Sequence, residues 1–553
     1  MLATEFQVEG QIVDVVNRRI FAGRVSISNG RVVGLEEDAA VQSRRYIMPG
    51  FVDAHVHIES SMLVPSEFGR AALAHGTVAT VSDPHEIANV LGLDGVRYMI
   101  DDARRTPLKI YFGAPSCVPA TSFESAGAHL GPEDVRRLFE EDGLLYLSEM
   151  MNYPGVLFGD PEVHAKLNIA RELGRRIDGH APGLRGEDAR KYIEAGPQTD
   201  HECFTLEEAL DKLQYGMRIA IREGSAARNY AALSPLLRSH PAMVFLCSDD
   251  KHPNDLVRGH IDEVVRRAIS EGYDRFDVLR AASLNPIEHY GLDTGCLRPG
   301  DPADFIIVDD VDAPRARETW INGICVAREG VCLIASVNIA TPNKFEAEKI
   351  DAAALRILAP DGASSARVRV IEALDGQLIT REFAADLPVV EGAVAGDPSA
   401  DILKLVVHNR YGAAAPATAF IRNFGLSRGA IASSVAHDSH NIIAVGVSDE
   451  AICAAVNALV ESRGGLSLVD GDDIDVLPLP VAGLMSAGTA DDVARDYERL
   501  DRKAHELGSR LRAPYMTLSF MALLVIPELK LSDKGLFTST TFGFTDLLVQ
   551  AEM

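Results

Sequence analysis

Hydrophobic and polar positions change texture several times along the chain. In residues 1–48, short apolar runs alternate loosely with polar ones. Residues 6–16 read as one strand, and 24–34 as two runs around Asn29-Gly30. That dipeptide takes positive φ readily and is a hairpin signal. From residue 49 to 297, compact apolar runs (78–82, 109–113, 144–148, 218–222 and 242–247) alternate with helical patterns such as 161–176 and 186–195. Strands alternating with helices predict βαβ units and a parallel sheet. About eight such units in roughly 250 residues predict a (β/α)8 TIM-like barrel. An open doubly wound sheet is the alternative, because periodicity alone does not separate the two. Strand texture returns over 298–338, with a second hairpin signal at Asn322-Gly323. Residues 339–553 mix strands (367–371, 402–407) with helices (449–462, 489–507) and predict a further α/β domain. The expected division is 1–48 with 298–338, then 49–297, then 339–553.

Composition narrows the class. The 553 residues are 47% hydrophobic and 24% charged, a balance that excludes disorder as the main state. The net charge of −26 and the lack of a basic stripe argue against nucleic acid and against an anionic membrane surface. The seven cysteines are scattered without a CxxC pair, as expected of reduced thiols. Residues 1–10 show no secretory pattern, and the apolar stretch 516–526 is too short to span a bilayer. A cytoplasmic protein is expected.

The candidate chemistry begins at Asp53-Ala-His55-Val-His57, directly after an apolar run. Residues i and i+2 of a strand face the same side, so His55 and His57 can present two imidazoles to one ion. An HxH pair alone is equally a polar strand end. Other strand ends strengthen the case, because barrel enzymes carry their working residues there. Glu149, His180, His201 and Asp249 each follow an apolar run or open a new unit. Singly, each has a plain structural explanation: a helix cap, or a satisfied loop histidine. Jointly they can hold a pair of divalent metals. Asp83-Pro-His85-Glu86 closes a further strand and is either a turn opening a helix or a support for the pocket. His437-Asp438-Ser-His440 is either a polar loop or a segment reaching over the barrel mouth.

Taken with the motif Met48-Pro-Gly-Phe-Val-Asp-Ala-His-Val-His, the later Asn285-Pro-Ile-Glu-His-Tyr and Arg298-Pro-Gly-Asp-Pro-Ala-Asp-Phe-Ile-Ile-Val, this pattern resembles the amidohydrolase superfamily. The resemblance implies a small composite β-sandwich beside the barrel. His55-Val-His-Ile-Glu-Ser-Ser-Met, Ser82-Asp-Pro-His-Glu-Ile-Ala-Asn, Ser148-Glu-Met-Met-Asn, Asp178-Gly-His-Ala-Pro-Gly, Ser248-Asp-Asp-Lys-His-Pro and Ala436-His-Asp-Ser-His-Asn are similar, within it, to the bacterial adenine deaminases. The long C-terminal region fits the same group.

The resemblance implies metal ligation by His55, His57, His180, His201 and Asp249. It places Glu149 as the bridge where many binuclear relatives use a modified lysine, and Asp249 as proton shuttle with Glu149 as its competitor. It implies Asp83, His85, Glu86, His437, Asp438 and His440 as supporting or substrate-binding residues. Two divalent ions per chain are implied, Mn or Fe favoured and Zn compatible with the ligand types. The implied reaction is hydrolysis of adenine to hypoxanthine and ammonia, in purine salvage, by a homo-oligomer. Two rivals stand beside it: a binuclear amidohydrolase for another aminated heterocycle or cyclic amide, and a barrel scaffold that has lost its metals.

Overall fold

The computed structural model describes residues 5–225 and 227–549. Among the described residues, eight parallel strands follow one another in chain order: β1 (Phe51–Val56), β2 (Thr77–Ser82), β3 (Lys109–Ala114), β4 (Tyr146–Met150), β5 (Arg176–Gly179), β6 (Thr199–Asp200), β7 (Arg218–Arg222) and β8 (Val244–Cys247). β1 to β5 form one ladder and β6 to β8 another. Both seams are bridged. Gln198 N–H donates to Ile177 O at 2.9 Å between β5 and β6. At the other seam, Asp249 N–H donates to His55 O at 2.9 Å and Val56 pairs with Asp249 in parallel. An unbroken circular order is a (β/α)8 barrel. A doubly wound sheet would reverse its strand order part-way.

The strands are buried along nearly their whole length, as expected of a parallel sheet covered by helices. Two of them start later than their apolar runs suggest. Leu144 N–H is taken by Leu138 O at the tail of the preceding helix, so β4 begins at Tyr146 and includes Glu149. Pro241 opens a tight turn ahead of Val244, which shortens β8 at its start.

Strands from both sides of the barrel sequence meet in one eight-stranded sheet, in which Tyr46–Pro49 pairs antiparallel with Phe305–Val308. The two Asn-Gly hairpins form as expected, with positive φ at Asn29, Gly30, Asn322 and Gly323. The later part of the chain carries a ten-stranded mixed sheet, Ile357–Leu358 to Asp473–Pro478. The helix Asp449–Ser462 buries Ile452, Ala455, Val456 and Leu459 against this sheet, the i, i+3, i+4, i+7 stripe of an amphipathic helix. Ser448 caps it by accepting from Ala451 N–H. One continuous apolar cluster joins barrel residues such as Met62, Phe68 and Met150 to Leu403, Leu484 and Met521 of the C-terminal region. That packing seats the C-terminal region on the end of the barrel where the strands finish. Among the described residues, no helix is long and apolar enough to cross a membrane, and all seven cysteines are free thiols.

Candidate metal centre

The strand ends deliver their side chains to one point. His55 lies in β1 and His57 just past its end, and their Nε2 atoms lie 3.2 Å apart. Glu149, near the end of β4, occupies the middle. Its Oε1 lies 3.3 Å from His57 Nε2 and 3.6 Å from His85 Nδ1. Its Oε2 lies 2.7 Å from His180 Nδ1 and 3.1 Å from His201 Nε2. One carboxylate thus turns one oxygen to each of two groups of imidazoles. Asp249 follows β8, with Oδ1 3.3 Å from His57 Nε2 and 3.6 Å from His55 Nε2. Its backbone φ of 54° is a left-handed conformation that costs energy outside glycine. The hydrogen bonds that both its backbone groups make with β1 hold it there.

The charges follow from these contacts. Burial opposes ionisation of Glu149, yet the imidazoles, His180 first, hold its carboxyl well below the usual range. Burial also opposes charge on Asp249, and the Arg222 guanidinium overrides it, pulling the carboxyl down strongly. Burial lowers His55 well below its ordinary value, with His201 adding to the effect. His57 moves the other way: the Asp249 and Glu149 carboxylates outweigh burial and raise it well. A neutral imidazole is the form that ligates a metal.

The structure brings all the expected side chains together. Asp83 Oδ2 lies 3.0 Å from His85 Nδ1, and its carbonyl faces His57 Nδ1 at 3.3 Å. His85 therefore sits closer to the centre than a supporting role requires. Glu86 is gripped by two histidines of the C-terminal region, His437 Nδ1 and His440 Nε2, each at 2.5 Å. Asp438 Oδ1 lies 3.7 Å from His85 Nε2. His440 stands behind Glu86, outside the cavity that His437 and Asp438 line. Asp53 lies under the site, accepting from Ser248 N–H at 2.9 Å and facing His260 Nε2 at 2.8 Å.

Several residues of the site are absent from the sequence reading. Arg222 ends β7 fully buried and bonds to both Asp249 and Glu202. It carries the signal that singled out Asp249, a charged residue closing an apolar strand. Glu202 is buried beside His201 and lies 3.8 Å from His180 Nδ1. Met151 from the barrel, inside the Ser148-Glu-Met-Met-Asn motif, and Leu378, Phe520 and Leu523 from the C-terminal region wall the cavity, and no motif marks the last three.

A divalent cation fits this donor set. Ligand atoms of His57, Asp83, His85 and Glu149 all lie within 4.8 Å of one another, as do those of His55, His57 and Asp249, and of His55, Glu149 and His201. His180 Nε2 is buried without a hydrogen-bond partner, and His85 Nδ1 and Asp83 Oδ2 lie 3.0 Å apart without hydrogen-bond geometry. Buried polar atoms are nearly always satisfied, so unsatisfied donors and acceptors of ligand type leave room for an ion.

Comparison with known proteins settles the family. The chain is 54% identical to the adenine deaminase of Salinibacter ruber over 99% of its own length and 100% of that protein. It is 53% identical to the adenine deaminase of Methanosarcina barkeri over 98% of each chain. The chain belongs to the adenine deaminase family. Residues 46–343 match the model of the amidohydrolase family, and 377–543 that of the adenine deaminase C-terminal domain. Among solved structures, enamidase aligns with a TM-score of 0.44 at 16% identity, over 59% of this chain and 97% of that one. Amidohydrolase membership implies a divalent metal, in keeping with the donor set described above.

Proposed function

We propose that the protein converts adenine and water to hypoxanthine and ammonia in the cavity at the barrel mouth, as a purine-salvage enzyme of the cytoplasm. The observation that carries this reading is full-length likeness to adenine deaminases together with a strand-end cluster centred on a carboxylate, Glu149. His55, His57 and Asp249 would hold one divalent ion, His180 and His201 a second, with Glu149 between them. His85 is close enough to join the first group. Mn and Fe are favoured and Zn fits the same ligands. Bound there, such ions supply the Lewis acidity that makes water a nucleophile near neutral pH.

The chain's own groups do the proton work. Water adds at C6 of the purine, a ring nitrogen takes up a proton, and the C6–N bond breaks as the amine leaves as ammonia. Asp249 is the proton carrier in this reading. Its Oδ2 is fixed by Arg222, while its Oδ1 faces the histidine pair. Glu149 Oε2 is held at 2.7 Å by His180 and 3.1 Å by His201, tighter than the 3.3 Å between Asp249 Oδ1 and its nearest imidazole, which leaves Glu149 the less free to exchange protons. Asp250, raised to about 6 by burial and by neighbouring Asp249, lines the same cavity and is next in line. His437 and Asp438 face the barrel side chains across the cavity, where they would meet the edge of the base.

The same reading assigns residues 1–48 with 298–338 to a β-sandwich domain, 49–297 to the catalytic barrel and 339–553 to a C-terminal domain, in a homo-oligomer. The deciding experiment is ammonia release from adenine by Mn-loaded protein, beside an Asp249→Asn control. Release from adenine that the control abolishes is expected. Absence of release from adenine, with metal bound, would sink the substrate assignment. Release that survives Asp249→Asn would move the proton work to Asp250 or Glu149.

A further inference from the structure

The cavity has a mostly polar floor from the barrel and a roof from the C-terminal region, in which Leu378, Phe520 and Leu523 form an apolar patch beside His437 and Asp438. A flat aromatic base is held by apolar surfaces whose separation matches its thickness, with a few polar groups fixing its orientation. The separation of the roof segments is therefore a determinant of binding. Leu378 lies in the turn between the strands Ser365–Ala373 and Thr380–Val390. Phe520 opens the short helical turn Phe520–Ala522 and stacks on His437, ring centroids 4.3 Å apart and planes 13° from parallel.

Between these two segments lies a lysine. Lys530, in the strand Leu529–Ser532, is 0% exposed. Its Nζ donates to Leu378 O at 2.7 Å and to Phe520 O at 2.9 Å. Thr380 locks the strand beside the Leu378 turn, its Oγ1 donating to Leu529 O at 2.8 Å and accepting from Leu529 N–H at 3.1 Å. Among the described residues, no carboxylate pairs with Lys530. A buried amine without a counter-charge is costly, and an apolar side chain of similar length would fill the space at lower cost. Burial alone brings Lys530 down to about 7. In its neutral form it has two N–H donors, one for each carbonyl.

We propose that Lys530 is a positioning residue for the purine: by tying the carbonyls of Leu378 and Phe520 to one nitrogen, it sets the shape of the roof that closes on the base. This rests on the reading that the cavity takes a purine. Lys530 neither lines the cavity nor bonds to the metal-type cluster, so its loss acts on substrate affinity ahead of chemistry.

The test compares Lys530→Met, which keeps length and loses both donors, with Lys530→Gln, which keeps two N–H donors on a shorter stem. KM for adenine in Lys530→Met is expected to rise roughly tenfold, the scale of a modest misfit in a binding pocket. Its kcat should change less than KM, and its metal content should equal that of the parent. Lys530→Gln should fall between the two. An unchanged KM in Lys530→Met, with only a lowered melting temperature, would reduce Lys530 to a structural tie and overturn the proposal. If Lys530→Met does not fold, Leu378→Ala reads the roof directly: raised KM with intact metal content supports the proposal, and unchanged KM overturns it. Inactivity of the parent protein on adenine would instead remove the purine reading itself.

Discussion

Arg222 places a fully buried guanidinium between Asp249 and Glu202. Removing one partner of such a group leaves the others charged without compensation, at about 3–5 kcal/mol. Arg222→Met should therefore lower the melting temperature sharply. Because it frees Asp249 Oδ2, kcat on adenine should fall even at temperatures where the variant stays folded. Parallel melting curves and saturating-substrate rates check both statements, and a variant that melts early yet keeps its kcat would show Arg222 to be purely structural. Lys530 gives a second signature at this scale. Its folded pKa of about 7 lies below its ordinary 10.5. Between those values the unfolded chain holds a proton that the folded chain does not, so stability rises with pH across this window and is flat for this group below it. Lys530→Met should remove that rise in a series of melting temperatures from pH 7 to 10. Much of the centre was legible only from joint placement, because each chemistry-bearing side chain at the end of an apolar run reads alone as a cap or a loop histidine. Leu378, Phe520 and Leu523 were not legible, since an apolar residue carries no sign of which cavity it will line.

The strand end is the element on which the centre depends. β5 finishes at Gly179, and a Cβ there would lie 2.5 Å from Thr199 O on β6 and 3.0 Å from Tyr192 Oη. Tyr192 Oη accepts from His180 N–H at 3.0 Å and donates to Met150 O at 2.7 Å, so one phenol couples β4 to the start of the His180 loop. Gly179→Ala should thus strain both neighbours, at about 1–3 kcal/mol for overpacking. It should also displace His180, reducing metal retained after dialysis against a weak chelator. Full retention would mean that β6 yields without moving His180. Elements were the most legible scale. The Asn-Gly pairs marked both hairpins because only positive φ suits that turn, and the helices expected over 449–462 and 489–507 form at Asp449–Ser462 and Ala490–Glu506. Barrel closure was less visible, since it rests on seam contacts such as Asp249 N–H to His55 O between segments far apart in the chain.

At the scale of the whole molecule, the sheet beside the barrel links distant parts of the chain. Tyr46–Pro49 has Gln11–Ile12 on one side, available at once, and Phe305–Val308 on the other. During synthesis at roughly 5–20 residues per second, that second neighbour leaves the ribosome roughly 260 residues later, some tens of seconds after the first. Throughout that interval one edge of the strand is a row of free amides and carbonyls, a template for pairing with another chain. The barrel between them has that long to assemble before its own ends can be fastened. Shielding of that edge during synthesis therefore bears on the yield of native protein alongside the stability of the finished fold.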